Sequence, residues 1–394
     1  MSEIREAVII SAARTPVGKF LGSLKGFTAI DLGAIVVRES VKRAGVAPED
    51  VDEVIMGCVI QAGLGQNPAR QAALRGGLLP AVAAVTVNKV CGSGLKAVMM
   101  AAQGIQLGDT EIVVAGGMES MSNAPYALAQ ARTGYRMGPG KMIDTMVHDG
   151  LWDPYGDKHM GNCAETCVAK YEFTREAQDD FARESYRRAQ DATKSGKFKK
   201  EIAVVEIEGK KGKSVVVDDE EPFAAPLDKM GSLRPAFMKE GTVTAANASK
   251  INDGGAALVV TSADYAQQNG LKPIARIIAQ GTAAQEPEWF TTAPAKAIDI
   301  VLKRAGMTID DIDLFEVNEA FAAVAMAAMV DAKIPHDKMN VFGGAVALGH
   351  PIGASGARIL ITLLSALEDR GAKRGMAAIC IGGGEAAAII VERL

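Results

Sequence analysis

One cysteine of the sequence stands where a catalytic nucleophile would be useful. Cys91 lies within residues 88–94, after an extended apolar run and at the start of a glycine-rich helix. A thiol at a helix N-terminus experiences the positive end of the helix dipole and nearby backbone N–H groups, which lower its pKa and donate to a developing oxyanion. Cys91 is therefore the predicted nucleophile. The alternative role is that of a small buried side chain at a tight turn.

Three further side chains could serve this thiol. His350, one of four histidines, stands just before a second predicted helix, where it could act as general base or occupy a capping or core position. Cys380 ends the last predicted strand, before the glycine run at residues 382–384. Asn318 follows another strand and could orient a water or cap a helix. Two thiols and one imidazole indicate covalent acyl transfer with an acid/base cysteine.

The sequence offers little support for metal or nucleotide chemistry. His159, Cys163 and Cys167 share one helix face, but the first and third would lie about 12 Å apart along a helix, too far to share one ion comfortably. No metal site is therefore predicted. The chain also lacks a G-x-x-x-x-G-K-[ST] loop and a strand-embedded G-x-G-x-x-G with an acidic partner. Nucleotide hydrolysis and hydride transfer are unsupported.

The composition is that of an ordinary globular protein. The chain has 394 residues, 48% hydrophobic and 23% charged, which is enough for two or three domains. A net charge of −4 argues against nucleic acid and anionic membranes as partners. The longest apolar segment, residues 320–330, is too short to span a bilayer, and the first residues lack the features of a secretion signal. Five cysteines without a C-x-x-C pair favour a reducing cytoplasm.

The segments that must position these side chains are repeated within the chain. Residues 41–52 recur as residues 302–313 at an offset of 261, and residues 93–95 align with residues 355–357 at an offset of 262. Two segments that keep their spacing over about fifty residues indicate a duplicated unit. His350 and Cys91 then occupy the same position in the two copies.

Each copy alternates short β-branched runs with helical stretches, which predicts an α/β fold. The predicted strands are residues 8–10, 54–55, 112–115, 274–278, 314–317 and 377–381. The predicted helices are residues 29–44, 94–107, 292–305 and 355–370, with Gly45 and Gly306 as C-terminal stops. A segment at about 120–244 interrupts the repeat and is predicted to be an inserted subdomain. Within it, residues 194–213 hold seven lysines and three glutamates, which fits a solvated surface or a phosphate-binding patch.

Together these motifs resemble the thiolase family over nearly the whole chain. The matching segments are residues 12–16, 88–94, 247–249, 318–322, 349–356 and 380–384. The resemblance implies a duplicated αβαβα layered core with an inserted loop domain. Residues 1–119 with about 245–270 would form the N-terminal half, 120–244 the loop domain and 271–394 the C-terminal half. It also implies a homotetramer built as a dimer of dimers.

The resemblance further implies a role for each reacting group. Cys91 would carry the acyl group, His350 would activate it, and Cys380 would exchange a proton with substrate carbon or the CoA thiol. A water on Asn318 would form one oxyanion site with His350, and the backbone N–H groups of Cys91 and Gly382 would form another. The implied reaction is the reversible condensation of two acetyl-CoA to acetoacetyl-CoA and CoA. CoA and acetyl-CoA are then substrates, and no cofactor is permanently bound.

Other residues resemble the family's substrate-binding positions. Ser249 resembles its pantetheine-contacting serine, and Phe237 and Phe321 resemble residues that line that pocket. His159, Met160 and Leu151 resemble positions of members that act on the four-carbon substrate, although His159 could be an ordinary loop histidine. The sequence departs from the family in two places. Glu385 and Ala386 replace Gln-Gly or Gly-Ala, and Lys250 follows Ser249 where glycine is common, so that it could meet a phosphate or solvent.

Other functions remain open at this point. A broader-chain 3-ketoacyl-CoA thiolase of fatty acid β-oxidation would share all these motifs. A condensing enzyme acting on carrier-protein thioesters should have His or Asn in place of Cys380. A cysteine hydrolase using Cys91, His350 and Asn318 would transfer the acyl group to water. A non-catalytic thiolase-like subunit would only bind acyl-CoA or act as a scaffold.

Overall fold

The computed structural model describes residues 4–209, 212–225 and 227–394. Within these ranges sixteen strands are present: β1 (Ala7–Arg14), β2 (Gly18–Lys19), β3 (Glu53–Gly57), β4 (Ala83–Val87), β5 (Ile112–Ser120), β6 (Tyr126–Ala127), β7 (Ile143–Asp144), β8 (Trp152–Asp153), β9 (Lys158–His159), β10 (Val205–Gly209), β11 (Gly212–Val216), β12 (Asn252–Ser262), β13 (Ala275–Ala284), β14 (Leu314–Val317), β15 (Arg374–Ile381) and β16 (Glu385–Arg393). The same ranges contain eleven α-helices: α1 (Ala29–Ala44), α2 (Pro68–Arg75), α3 (Ser93–Leu107), α4 (Thr145–Gly150), α5 (Met160–Tyr171), α6 (Arg175–Lys194), α7 (Ala263–Gln268), α8 (Ala293–Ala305), α9 (Ala322–Ala332), α10 (Ala345–Leu348) and α11 (Ile352–Arg370). None of these helices combines the length and apolar character needed to cross a membrane.

Ten of the described strands form one mixed sheet with an internal repeat. Nine of them follow the order β14-β15-β16-β13-β1-β12-β5-β3-β4, and β2 pairs with β12. In each half a parallel pair, β3 with β5 or β14 with β15, is extended by two antiparallel strands. The halves join where β1 and β13 pair at Val8–Arg276 and Ile9–Ala275. The predicted duplication is therefore visible in the strand order.

The helices complete five layers. Helices α3 and α11 pack against each other and contact strands of both halves of the sheet. Helices α1 and α2 cover the outer face of the N-terminal half, and α8 and α9 cover that of the C-terminal half. This α/β arrangement confirms the predicted αβαβα core. The predicted helix stops are also present, because Gly45 and Gly306 adopt left-handed φ values of 69° and 64°.

Two central strands, β12 and β16, are missing from the sequence prediction. Strand β12 begins Asn-Asp-Gly-Gly-Ala-Ala and β16 begins Glu-Ala-Ala-Ala. Glycine, alanine and acidic residues are depleted in strands, and β-branched residues come only in the later part of each strand, at Val259–Thr261 and Ile389–Val391. Both strands are almost entirely buried between neighbours. Small side chains are favoured there because layers approach closely on both faces of the sheet.

The two central helices cross at glycines. A Cβ atom on Gly356 of α11 would lie 2.5 Å from the backbone nitrogen of Leu95 in α3. A Cβ atom on Gly94 of α3 would lie 3.0 Å from the Gly353 carbonyl oxygen. Backbone therefore packs on backbone at the start of both helices. Because Cys91 and His350 each lie two residues before one of these helices, the crossing brings the two side chains to one place.

We expect Gly356→Ala to destabilise the protein. The added methyl group meets backbone that cannot move alone, and overpacking of this kind costs about 1–3 kcal/mol of unfolding free energy. The midpoint of thermal unfolding should fall accordingly. Gly26→Ala is the matched control, because a Cβ atom on Gly26 would have no neighbour within 4 Å, and it should change stability by less than about 0.5 kcal/mol. Equal midpoints for the two variants would contradict the proposed tight crossing.

The segment between the repeats adds no strand to the main sheet. Strands β6 to β11 pair only among themselves in the described ranges. A buried ion cluster links this segment to β1, where Arg14 donates to Glu201 at 2.6 Å and to Asp219 at 2.7 Å. The domain boundaries given above stay a prediction.

Two lysines of the stretch at residues 194–213 form ion pairs with the end of α11. The Lys197 ammonium lies 2.6 Å from Asp369, and that of Lys200 lies 2.7 Å from Glu368. These pairs favour the solvated-surface interpretation for both lysines. Lys210 and Lys211 lie outside the described residues.

Candidate active site

Cys91 lies on a sharp turn between β4 and α3. The preceding Val90 has a φ of 45°, which is strained for a β-branched residue. Asn88 Oδ1 accepts the Val90 N–H at 3.0 Å, and Ser93 Oγ accepts the Lys89 N–H at 2.8 Å. The Ser93 hydroxyl donates in turn to the Val90 carbonyl at 2.6 Å. The side chains of the turn therefore hold the strained backbone that presents the thiol.

The predicted lowering of the Cys91 pKa is wrong for the free protein. Burial raises the pKa of the thiol to about 11, and the nearby Glu119 carboxylate raises it further. The backbone N–H groups of Gly382 and of Cys91 itself act in the opposite direction but do not outweigh burial. The thiol is thus protonated at neutral pH, and it needs a base before it can attack. The same two N–H groups are those predicted to form an oxyanion site.

Cys380 lies beside the turn that carries Cys91. A Cβ atom on Gly92 would lie 2.3 Å from Cδ1 of Ile381, so the Ile381 side chain packs directly on that turn. Burial raises the pKa of Cys380 well above its ordinary value, and the charge of a Cys91 thiolate adds to the shift. Gly383 and Gly384, both with φ of 85°, form the turn that follows. The two cysteines are neighbours, and both are neutral in the free protein.

The backbone around His350 fixes its position. Gly349 has a φ of 102°, and a Cβ atom there would lie 2.4 Å from Asn252 Oδ1. That same amide oxygen accepts the His350 N–H at 2.9 Å. A residue other than glycine at position 349 would therefore displace the acceptor that anchors the histidine.

We assign the tautomer of His350 from its hydrogen bonds. With the Ser355 hydroxyl donating to the Pro351 carbonyl at 2.9 Å, its oxygen is the acceptor for His350 Nδ1–H at 2.5 Å. This leaves the lone pair on Nε2, which is buried and has no partner among the described residues. Burial and the charge of Arg358 lower the pKa of His350 to about 3. The ring is neutral and able to accept a proton at Nε2.

The pKa values of Cys91 and His350 predict how Cys91 reacts with alkylating reagents. Only the thiolate reacts, so the rate of modification by iodoacetamide should rise close to tenfold per pH unit from pH 6 to 10. No step is expected near pH 6.5, because the lowered pKa keeps His350 neutral throughout this range. Mass spectrometry of the peptide that carries Cys91 provides the rates, with glutathione as reference thiol. A plateau below pH 9 would instead indicate a preformed thiolate–imidazolium pair.

Asn318 has a side-chain amide beside the Cys380 thiol, and hydrogen bonding between them acts to lower the pKa of that thiol. It follows β14, and its backbone N–H donates to the Ala378 carbonyl at 2.9 Å. Its side-chain Oδ1 and Nδ2 are buried, and apart from this contact they have no hydrogen-bond partner among the described residues. The helix that follows begins later, with Phe321 as its N-cap residue, so Asn318 does not cap it. A buried amide with unused donor and acceptor capacity is costly unless it binds something, and the water on Asn318 stays a prediction.

A cavity of about 420 Å³ contains most of the predicted positions. Nine predicted residues line it: Cys91, Leu151, His159, Met160, Phe237, Ser249, Phe321, His350 and Gly382. Cys380 and Asn318 are buried and do not border this cavity. The size of the cavity is that of a small-molecule site. The duplicated halves and the inserted segment therefore contribute side chains to one place.

Aromatic rings form one wall of the cavity. His159 stacks on Phe237 with ring centroids 4.8 Å apart, and Phe321 meets Phe237 edge-on at 5.9 Å. His159 Nδ1 accepts the Gly161 N–H at 3.0 Å, so the ring caps α5. This bond makes His159 a fixed part of the wall. No group of three or more metal-ligating side chains is present in the described ranges.

Two charged residues of the site lie outside the predicted set. Glu119, at the end of β5, accepts backbone N–H bonds from Val59, Ile60 and Gly353 at 3.0, 3.2 and 2.9 Å, and burial raises its pKa to about 7. It ties the loop after β3 to the start of α11. No periodicity marked it, because the predicted strand stopped at residue 115. Lys250 lines the cavity, and its departure from the family pattern was the only signal.

Comparisons with known proteins agree with this geometry. Residues 7–264 match the family model described as thiolase, N-terminal domain, and residues 271–393 match that described as thiolase, C-terminal domain. An acetyl-CoA acetyltransferase of Cupriavidus necator is 54% identical over 390 residues, which cover 98% of this chain and 99% of that protein. Acetyl-CoA acetyltransferase 2 of Arabidopsis thaliana is 51% identical over 393 residues, covering 99% of this chain and 98% of that protein.

A solved structure is also similar to this chain over its whole length. The crystal structure of the Bacillus anthracis acetyl-CoA acetyltransferase superposes with a TM-score of 0.98 at 43% identity, covering 100% of both chains. Both family models together span nearly the whole sequence, and the relatives match over almost their full lengths. The chain belongs to the thiolase family.

Proposed function

We propose that this protein is an acetyl-CoA acetyltransferase, which interconverts two acetyl-CoA with acetoacetyl-CoA and CoA. The observation that carries the proposal is that Cys91 and the unpaired Nε2 of a neutral His350 face one cavity. The names of the relatives described above support the same activity. Acyl-CoA thioesters are the substrates, and CoA takes part as a reactant that is not permanently bound.

In the cleavage direction Cys91 first becomes acylated. His350 Nε2 accepts the thiol proton as Sγ attacks the 3-keto carbon of acetoacetyl-CoA. The oxygen on that carbon becomes negative and is stabilised by one set of donors, either the backbone N–H groups of Cys91 and Gly382 or His350 with a water on Asn318. When the bond between carbons 2 and 3 breaks, the electron pair passes to carbon 2. Acetyl-CoA leaves as its enolate, with charge on the thioester oxygen.

Cys380 completes the cycle by moving protons. Its neutral thiol, held protonated by burial, donates to carbon 2 of the enolate and releases acetyl-CoA. The resulting Cys380 thiolate removes the proton from an incoming CoA thiol. That CoA sulfur attacks the acetyl group on Cys91, forms a second acetyl-CoA and returns the electron pair to Cys91. Every proton taken by one group is returned in a later step, and the condensation runs through the same states in reverse.

The proposed preference for the four-carbon substrate depends on the aromatic wall. His159 is held by Gly161, and Phe237 occupies the space that a side chain at position 161 would need, since a Cβ atom there would lie 2.3 Å from a carbon of the Phe237 ring. Met160 and Leu151 line the same cavity. A fixed wall of this kind leaves little freedom for a longer acyl chain. The broader-chain 3-ketoacyl-CoA thiolase is the second candidate, and substrate comparison separates the two.

We also propose a homotetramer located in the cytoplasm. Residues 126–142 expose large apolar side chains, with Met137 94% and Met142 68% exposed, as expected where copies associate. All five cysteines are free thiols, which suits a reducing compartment. The two thiolase halves and a loop domain at 120–244 are part of the same proposal. Light scattering of the purified protein measures the oligomeric state.

The test of function is CoA-dependent cleavage of acetoacetyl-CoA, measured beside a long-chain 3-ketoacyl-CoA. Strong cleavage of the four-carbon substrate alone would support the proposal. Comparable long-chain cleavage would establish the broader-chain enzyme instead. Hydrolysis without CoA would indicate a cysteine hydrolase, and cleavage of neither substrate would favour carrier-protein thioesters or a non-catalytic subunit.

A further inference from the structure

The ammonium group of Lys250 joins two segments of the active site. Its Nζ donates to the Ala248 carbonyl at 2.7 Å and to the Val346 carbonyl at 3.3 Å. Ala248 precedes Ser249 on the loop before β12, whereas Val346 lies in α10. The two acceptors are almost a hundred residues apart in sequence. Hydrogen bonds from a charged donor are roughly twice as strong as neutral ones, so this contact is a strong link between the segments.

The Val346 carbonyl needs such a donor because α10 is short. In a continued helix it would accept the N–H of residue 350. The His350 N–H instead donates to Asn252 Oδ1 at 2.9 Å. Lys250 supplies the missing donor, which is how a cation commonly stabilises the C-terminal end of a helix. The group that closes α10 is thus a side chain of the substrate-binding loop, and the next turn of the backbone carries His350.

The loop that carries Ala248 and Ser249 is also held in place by backbone contacts. The Ser249 N–H donates to the Ala320 carbonyl at 2.9 Å, and Ala248 forms a β-bridge with Phe321. These partners immediately follow Asn318 and Glu319. The Glu319 carboxylate in turn accepts the Val346 N–H at 3.1 Å. Both backbone polar groups of Val346 are therefore held, one by Glu319 and the other by Lys250.

The surroundings of Lys250 hold few charges. Glu221 and Glu319 are the carboxylates that act on it, and burial raises the pKa of both. The Tyr186 ring lies 5.6 Å from Nζ, and burial keeps its phenol neutral. Burial lowers the pKa of Lys250 to about 8, despite the opposing effect of the two carboxylates. The amine therefore loses its charge within the pH range in which the protein can be assayed.

We propose that Lys250 is a positioning residue, whose cationic side chain holds α10 against the Ser249 loop and so sets the placement of His350 beside Cys91. This inference rests on the proposed acetyltransferase function. Lys250 does not transfer a proton to substrate. Loss of its charge weakens the link and displaces the base, so kcat falls more than KM rises.

Because Lys250 titrates, the proposed effect on kcat should depend on pH. Lys250 is fully charged well below its pKa of about 8, and it loses its charge as the pH rises through that value. Lys250→Met has similar length but is neutral at every pH. At pH 7 we expect its kcat for acetoacetyl-CoA cleavage to be at least about tenfold below wild type, as for a lost charge-assisted hydrogen bond. The ratio of wild type to Lys250→Met should fall several-fold between pH 7 and 9.5, because wild type loses its charge.

Two further variants complete the experiment. Lys250→Ala removes the stem as well, and n-butylammonium should restore part of its kcat, whereas tetramethylammonium, which has no N–H donor, should not. Lys272→Met is the matched control, since this lysine is exposed and outside the site, and it should behave as wild type at all pH values. Thermal unfolding of each variant shows whether the fold is retained.

The outcomes separate this proposal from the proposed function. An inactive wild type would overturn the acetyltransferase assignment itself. An active wild type with equal kcat in Lys250→Met, a ratio that does not change with pH, or no response of Lys250→Ala to n-butylammonium would overturn the role of Lys250. If Lys250→Met does not fold, Lys250→Arg gives the same test. It keeps its charge at every pH, and its kcat relative to wild type must rise between pH 7 and 9.5.

Discussion

Cys91→Ala should reduce CoA-dependent cleavage of acetoacetyl-CoA by about 10⁴-fold or more, because the covalent route disappears entirely. No other thiol can replace it, since Cys380 is fully buried and its pKa is raised further than that of Cys91. Cys91 is on a turn held by Asn88 and Ser93 and not by its own thiol. The fold should therefore survive the substitution, and its thermal midpoint should stay near that of wild type.

Mass spectrometry after incubation with acetyl-CoA checks this result directly. Wild type should gain one acetyl group on the peptide that contains Cys91, and the variant should gain none. Cys167→Ala is a matched control, because Cys167 is a buried cysteine outside the reacting set. An acetyl group found on another residue of wild type would contradict the assignment of the nucleophile.

Cys380→Ser should separate the two halves of the reaction. A serine hydroxyl keeps the size of the thiol, but it is a far weaker acid and does not match the proton transfer required at carbon 2. Loss of a general acid–base group typically costs 10²–10⁴ in rate, and turnover should fall by about that factor. Acetylation of Cys91 by acetyl-CoA should fall much less, because CoA leaves as a thiolate, which is a far weaker base than carbon 2 of the enolate and depends less on the Cys380 proton.

Comparison of the two rates distinguishes proton transfer from packing. Rapid quenching gives the rate of acetyl transfer to Cys91, and steady-state assays give turnover. An equal loss of both would assign Cys380 to the structure of the pocket. Exchange of deuterium into the methyl group of acetyl-CoA offers a second measurement, and it should fall in parallel with turnover.

Much of the architecture could be predicted from the sequence, because the repeat is directly visible. Residues 41–52 and 302–313 retain the same helix end, including the glycine that requires a positive φ. Strands β12 and β16 could not be predicted in this way. Their glycines and alanines are selected by close packing between layers, and that requirement becomes apparent only when the neighbouring layers are known.

The chemistry of the site could be predicted only in part. The residue types of Cys91 and His350 and their matched positions indicated a thiol and its base. Their protonation could not be predicted, because burial outweighs the helix-dipole effect at Cys91 and Ser355 decides the tautomer of His350. The contacts of Lys250 could not be predicted from the sequence either. One of its two acceptors, the Val346 carbonyl, lies on a distant turn of helix, and no local pattern in the sequence connects it to Lys250.

The position of β1 has a consequence for synthesis of the chain. This strand is the first of those that the structure describes, but its partners β12 and β13 follow more than 230 residues later. The N-terminal half cannot close its sheet until residue 262 has left the ribosome, and the C-terminal half then adds to the opposite edge of the same strand. Contacts of such long sequence separation slow folding, and they leave β1 without partners for most of translation. The early chain should therefore depend on chaperones that shield an unpaired apolar strand.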